Sequence, residues 1–216
     1  MKTKLAKFII TSLLVVASRC GYSQGFMNLN FEDANIPKNL PSNAIAATNA
    51  FPYWTVNAQY IVYDDLSLSG ESISIIDSNS IITPHQIQGA YYALLVAANF
   101  QGGSSISLSQ TGQIPSSTQV IEFWGQIGGL QITFDNQLLS FSEVGSTANY
   151  NIYAADISAY AGDIGQLTFT LPSNTSQAEL DNIQFLSTPV PEPGTLGLSV
   201  LGGLFFLWRY RQKYPR

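Results

Sequence analysis

Between Gly25 and Leu186 the apolar residues come in short runs, broken every few positions by Gly, Pro, Asn, Asp or Ser, with no sustained stripe of helical period. That punctuation excludes a helical body and favours many short strands. Phe26-Met27-Asn28-Leu29-Asn30-Phe31 alternates, which predicts a first strand with Met27, Leu29 and Phe31 on one face. Tyr53 to Tyr63 holds one or two strands, Ser72 to Ile76 another, and Tyr91 to Ala97 reads as a continuous apolar central strand. Ser105 to Gln110 points Ile106 and Leu108 inward. Val120 to Trp124, Leu130 to Phe134, Tyr150 to Ala155, Leu167 to Leu171 and Leu180 to Phe185 complete the series, with a hairpin turn at Asp135-Asn136. About ten strands spaced by turn signals predict an all-β sandwich over residues 24–187. The stretch from Ile36 to Phe51 reads as a long loop, and helix is expected only in the two terminal segments.

Charge divides the chain sharply. Of 216 residues only 11% are charged, and Lys38 is the single basic side chain between Gln24 and Pro191. That stretch holds 13 of the 14 acids, a net −12. Such a body cannot neutralise phosphates, so nucleic acid is excluded as a partner. The other basic residues cluster at the ends. Lys2, Lys4 and Lys7 precede a short apolar run from Phe8 to Ala17, and small residues offer cleavage before Gln24, so residues 1–23 read as a signal peptide. A competing reading lipidates Cys20, but Arg19 stands where that signal needs a small residue. Cys20 is the only cysteine, so the exported domain must draw its stability from a core and not from disulfides.

Few residues offer catalysis. His85 is the only histidine and stands without a second histidine or a mature cysteine, which leaves no ordinary zinc site. No G-x-S-x-G elbow is present, and the glycine pairs at 102-103 and 128-129 precede strands, so they read as turns. Asp64-Asp65 could form half of a glycosidase pair but reads more simply as a solvated turn. The body is therefore expected to be non-enzymatic, with a cryptic glycoside hydrolase as the weakest alternative. Trp54, Trp124, Tyr60 to Tyr63 and Tyr91-Tyr92 lie inside strand-like runs and read as strand or core aromatics before a sugar platform. Asn174-Thr175-Ser176 has the form of a glycosylation sequon and reads as an exposed turn.

Two carboxylates stand apart. Glu32 follows the first predicted strand, and alternation places Asp181 on the face of Ile183 and Phe185, toward the core. An inward carboxylate needs compensation, and with only Lys38 available the choices are backbone N–H donors, a sheet edge or a hard cation. The opening N-F-E-D, P-Y-W-T-V at 52–56, S-I-S-L-S-Q-T-G-Q-I-P at 105–115 and the closing L-D-N-I-Q-F resemble the galactose-binding-like jelly rolls of secreted bacterial proteins. The resemblance implies a jelly-roll β-sandwich, and it carries onto Glu32 and Asp181 the role of ligands to a structural Ca²⁺. Plain turn-capping carboxylates remain the alternative. It also raises a carbohydrate-binding, lectin-like module, with a polysaccharide as partner.

The C terminus has its own logic. Residues 188–194 form a proline-rich linker, residues 195–208 an apolar segment read as a transmembrane helix, and residues 209–216 a basic tail that stays cytoplasmic. The order Pro191-Glu192-Pro193, apolar span, then Arg209 and Arg211 resembles the PEP-CTERM sorting signal. That resemblance implies recognition by an exosortase, cleavage near the P-E-P motif and a transient inner-membrane anchor. It further implies delivery to the cell surface or extracellular matrix of a Gram-negative bacterium, with a structural or adhesive role in biofilm or exopolysaccharide.

Overall fold

The computed structural model describes residues 25–65, 71–79, 87–97, 103–173, 175 and 177–187. The signal segment, His85, Asn174 and Ser176 of the sequon, the P-E-P motif, the apolar segment and Arg209 and Arg211 lie outside these residues.

Among the described residues twelve strands form two sheets. β1 (Thr55–Asn57), β5 (Ile106–Gln113), β11 (Ile164–Leu171), β7 (Gln131–Phe134) and β8 (Gln137–Leu139) lie side by side in a five-stranded sheet. The seven-stranded sheet runs β2 (Tyr60–Tyr63), β3 (Ser72–Asp77), β4 (Tyr91–Val96), β12 (Gln177–Leu186), β6 (Val120–Gly125), β10 (Asn151–Asp156) and β9 (Phe141–Ser146). Pairing is antiparallel except between β2 and β3. From β4 onward the chain passes repeatedly from one sheet to the other, the wiring of a jelly-roll sandwich. The expected all-β class and sandwich are therefore observed.

Alternation builds the core. Ile106 and Leu108 of β5, Leu167, Phe169 and Leu171 of β11, and Ile132 and Phe134 of β7 are buried from one sheet. They meet Ile73, Ile75, Ala93, Leu95, Ile121, Phe123 and Leu180 from the other. A chain of aromatic rings crosses the interior. Phe31 meets Phe51 at 5.9 Å and Trp54 at 5.7 Å, Trp54 meets Phe169 at 6.2 Å, and Phe169 meets Phe123 at 5.8 Å. Edge and tilted contacts of this kind add to burial.

Three expectations are corrected. Residues 26–31 form no strand, although Gly25 bridges Gln113. Instead Asn28 and Phe31 take positive φ (49° and 58°), which turns the Phe31 ring inward between Phe51 and Trp54. The main-chain groups that a strand would have used are satisfied elsewhere: Gln110 Oε1 accepts from Met27 N–H, and Gln110 Nε2 donates to Met27 C=O. Helix is not confined to the ends, since a short helix α1 (Ala47–Ala50) sits in the expected long loop and a 3₁₀ turn spans Ser158–Tyr160. Strand β9 was not expected, because F-S-E-V-G-S has too few apolar residues to show alternation.

Phe169 joins the aromatic contributions of the two sheets. Phe169→Ala is expected to lower stability by about 3–5 kcal/mol, read as a lower urea midpoint at unchanged slope.

Candidate functional site

The site is assembled from three separate stretches. The N-terminal segment is fixed by Gln110, by stacking of Phe26 on Phe185 at 5.2 Å, and by donation from Trp54 Nε1 to Asn28 C=O at 3.0 Å. With Phe31 sunk in the core, the next side chain, Glu32, reaches the chain just before β4. Its Oε1 accepts from Ala90 N–H (2.8 Å) and Tyr91 N–H (3.1 Å).

The second stretch is an irregularity in β12. The register against β6 shifts between Asp181 and Gln184, and Asn182 takes φ 44°. A bulge inverts alternation for the residues beyond it. Ala178 and Leu180 face the main core while Glu179 and Asp181 are buried on the opposite face, and Ile183 returns to the core. The expected sharing of one face by Asp181, Ile183 and Phe185 is thus overturned by the bulge. Asp181 is completely buried. Its Oδ2 accepts from Gln88 N–H (3.0 Å) and its Oδ1 from Asn182 N–H (2.7 Å).

Both carboxylates therefore clamp residues 88–91, the third stretch. Gly89 sits at φ +63°, and an added Cβ there would lie 2.1 Å from Glu32 Oε1. Gly89 is needed both for its backbone conformation and for the close approach of Glu32. Gln88 Oε1 is buried without a hydrogen-bond partner among the described residues.

Burial pushes the Asp181 carboxyl up to about 8; the Asn182 and Gln88 N–H groups pull it down, and the nearby Glu32 charge raises it further. The acidic surroundings extend to the neighbouring strands. Tyr63 donates its hydroxyl to Asp77 Oδ2 (3.3 Å) and is pushed up to about 12 by burial, then by Asp77 and Asp64. Tyr91 is raised by burial, Asp77 and Glu32. Asp64 stands in a half-buried bend, and residues 66–70 of the expected turn lie outside the described residues. Asp64 closes β2 at φ 49° with one carboxylate oxygen buried and unbonded among the described residues. Asp65 accepts from Asn43 Nδ2, and its own N–H donates to Ser74 Oγ.

Among the described residues no group of three or more His, Cys, Asp or Glu converges on one point. The pair Glu32 and Asp181 nevertheless suits a hard cation. Among the described residues no basic side chain compensates the buried Asp181 carboxylate, and carboxylate oxygens are of the type such ions take. Ligation would use Glu32 and Asp181, and the ion would supply the missing positive charge.

A second feature lies beside the clamp. Trp124 pairs in register with Asp181 on the outer face of the seven-stranded sheet. Its ring stacks on Tyr150 at 4.9 Å and 11°, and Trp124 Nε1 donates to Glu122 Oε1 (3.0 Å). These two half-buried rings border a small outer cluster of Ile76, Ile87, Tyr92, Leu94 and Val96. Trp54 lies in the main core as expected, whereas Trp124 belongs to this separate outer cluster and Tyr60 is 52% exposed.

Fold and clamp together define a jelly-roll β-sandwich whose last strand leads directly into the C-terminal segment. Residues 189–212 match the PEP-CTERM protein-sorting motif, which implies export, a membrane-anchored C terminus before processing, and processing by an exosortase. No curated protein matches the chain. Solved structures similar to it include a Stig cyclase from Fischerella sp. TAU, at 16% identity and TM-score 0.45 over 74% of this chain and 94% of that one. Another is TmCBM61 in complex with β-1,4-galactotriose, at 14% identity and TM-score 0.36 over 76% and 97%. A third is the family 11 carbohydrate-binding module from Clostridium thermocellum with a β-1,3-1,4-mixed-linked tetrasaccharide, at 9% and 0.38 over 68% and 95%.

Because Asp181 titrates higher in the folded chain than its ordinary value of 3.8, the folded state keeps a proton that the unfolded state loses. Its contribution to stability is full below pH 3.8 and is lost as pH rises through about 8. In chelator, Asp181→Asn should therefore flatten the fall in melting temperature between pH 5 and pH 8.5, by at least ~3 °C. Parallel melting curves for wild type and variant would show no necessary role for this carboxyl. Independently, Gly89→Ala should cost roughly 1–3 kcal/mol through strain and displacement of Glu32, measured by chemical denaturation.

Proposed function

We propose that the protein is an exported, non-enzymatic domain that an exosortase delivers through residues 189–212 to the surface or extracellular matrix of a Gram-negative cell. There it serves a structural or adhesive role. The observation that carries this reading is the sorting motif following the last strand almost at once: β12 ends at Leu186 and the match begins at residue 189. The acidic, nearly cation-free body and its cysteine-free mature chain agree with an exported domain. A non-enzymatic role draws on the sequence, which has a single histidine and no G-x-S-x-G elbow. Intact-mass analysis of protein from wild-type cells should find a C terminus trimmed near Pro191-Glu192-Pro193. A full-length C terminus would contradict the reading.

A second reading, carbohydrate binding, draws on the Trp124–Tyr150 stack with Glu122 beside it. Aromatic faces pack on sugar rings while flanking polar groups fix hydroxyls. On this reading Trp124→Ala should weaken retention on a polysaccharide column by roughly ten-fold or more, with the melting temperature followed as a control. Unchanged retention would remove Trp124 from any glycan site.

For Ca²⁺, the proposed role is structural. Millimolar Ca²⁺ should raise the melting temperature of the wild type at pH 8 and leave Glu32→Gln and Asp181→Asn unmoved, with isothermal titration as an independent readout. An unshifted wild-type melt would leave the two carboxylates as caps of the 88–91 turn.

A further inference from the structure

The two ends of the described chain leave the sandwich at one pole. Gly25 bridges Gln113 at the end of β5, and Phe26 stacks on Phe185 near the end of β12. Gln119 N–H donates to Leu186 C=O, and Ile157 N–H donates to Gln119 C=O. Gly162 N–H donates to Ile114 C=O, and Ile114 N–H to Asp163 C=O. The segments 114–119 and 157–163 therefore form a bonded platform around both chain ends. Exposed on or beside it are Pro115, Ser117, Ala159 and Ile164, the last at 57% exposure although it is a large aliphatic residue.

Chain length then limits what can approach. Four residues lie between Ser187 and Glu192, so five Cα-to-Cα steps give a reach of no more than about 18 Å. The far pole, with the Thr147–Asn149 turn, lies roughly 30 Å away along the ten residues of β12. The P-E-P motif is therefore held close to the near pole, and a protein that grips it works beside that pole and not beside the far one. The near pole also carries Asp156 and Asp163. Hydrogen bonds from the Ser158 side chain and then from its N–H (2.9 Å) keep the Asp156 carboxyl below the usual range. Fixed negative charge repels an anionic lipid surface, so the occupant is a protein and not the bilayer itself.

We propose that the platform of residues 114–119 and 157–163, with Ile164 at its rim, is the surface on which the enzyme that processes the sorting segment seats the folded domain. The proposal rests on residues 189–212 acting as the processed segment.

The test follows trimming of the full chain by pulse-chase in a host that carries the processing machinery. Ala159→Arg with Ile164→Arg should slow trimming by roughly five-fold, whereas Ala148→Arg at the far pole should not. A flexible insertion of about 15 Gly/Ser residues after Ser187 should restore the double variant, because a longer tether releases the domain from the enzyme. That rescue separates lost seating from misfolding. A photo-crosslinker at position 159 should capture a membrane protein and one at position 148 should not. Wild-type trimming by the double variant, slowing that the insertion leaves in place, or a lipid adduct at position 159 would overturn the seating surface alone. No trimming of any chain, wild type included, would instead overturn the sorting reading and this surface with it.

Discussion

The structure depends on how an acidic body without basic partners satisfies its carboxylates. With Lys38 the only lysine or arginine between Gln24 and Pro191, ion pairing cannot serve thirteen acids. N–H donors take the part that arginine and lysine play elsewhere. Glu32 takes Ala90 and Tyr91, Asp181 takes Gln88 and Asn182, Asp135 takes Gln166, Asp156 takes Ser158, and Asp77 takes Asn79. Glu71 receives Ser104 N–H, and Glu122 receives the Trp124 indole. Hydrogen bonds to a charged acceptor are among the stronger kind, and most of these also fix a turn, a bulge or the end of a strand. Charge satisfaction and loop geometry are thus the same interactions.

The clamp at 88–91 is where this solution is most stretched. Two carboxylates approach one short segment from chain positions about 150 residues apart. They tie the N-terminal segment and the last strand to the start of β4. Burial of Asp181 opposes its ionisation, and the neighbouring Glu32 adds to that opposition. An external cation would relieve both effects. The same clamp sets Ile87 against the outer cluster, beside the Trp124–Tyr150 pair. The electrostatic and aromatic features of the outer face are therefore neighbours through the Asp181–Trp124 register.

The sequence pattern revealed the fold class well, because burial between two sheets imposes a period of two on β5, β7 and β11. The Asp135-Asn136 turn was legible for a similar local reason, since both residues adopt the left-handed conformation that such turns demand. What failed depended on distant partners. Residues 26–31 alternate like a strand, but Gln110 and the Phe51–Trp54 pocket hold them in another form. The face of Asp181 was misread because the bulge at Asn182 leaves no mark in a hydrophobic pattern, although an Asx dipeptide inside a strand is a hint of left-handed backbone. Gly89 and Gln88 carried no local signal at all. Their importance comes from carboxylates that reach them only in three dimensions.

The two parts of the chain answer to different physics. In the body, side chains are fixed by burial and by N–H donors, so its shape is decided by long-range contacts such as Phe26 on Phe185 and Gln119 on Leu186. The sorting segment is legible from local order: prolines about an acid, an apolar run, then arginines. The two meet at Leu186, whose carbonyl is still held by the fold, only three residues before the motif begins at residue 189. A motif legible without any tertiary contact is thus presented by a β-sandwich that depends on many, and the short connection forces them to be handled together.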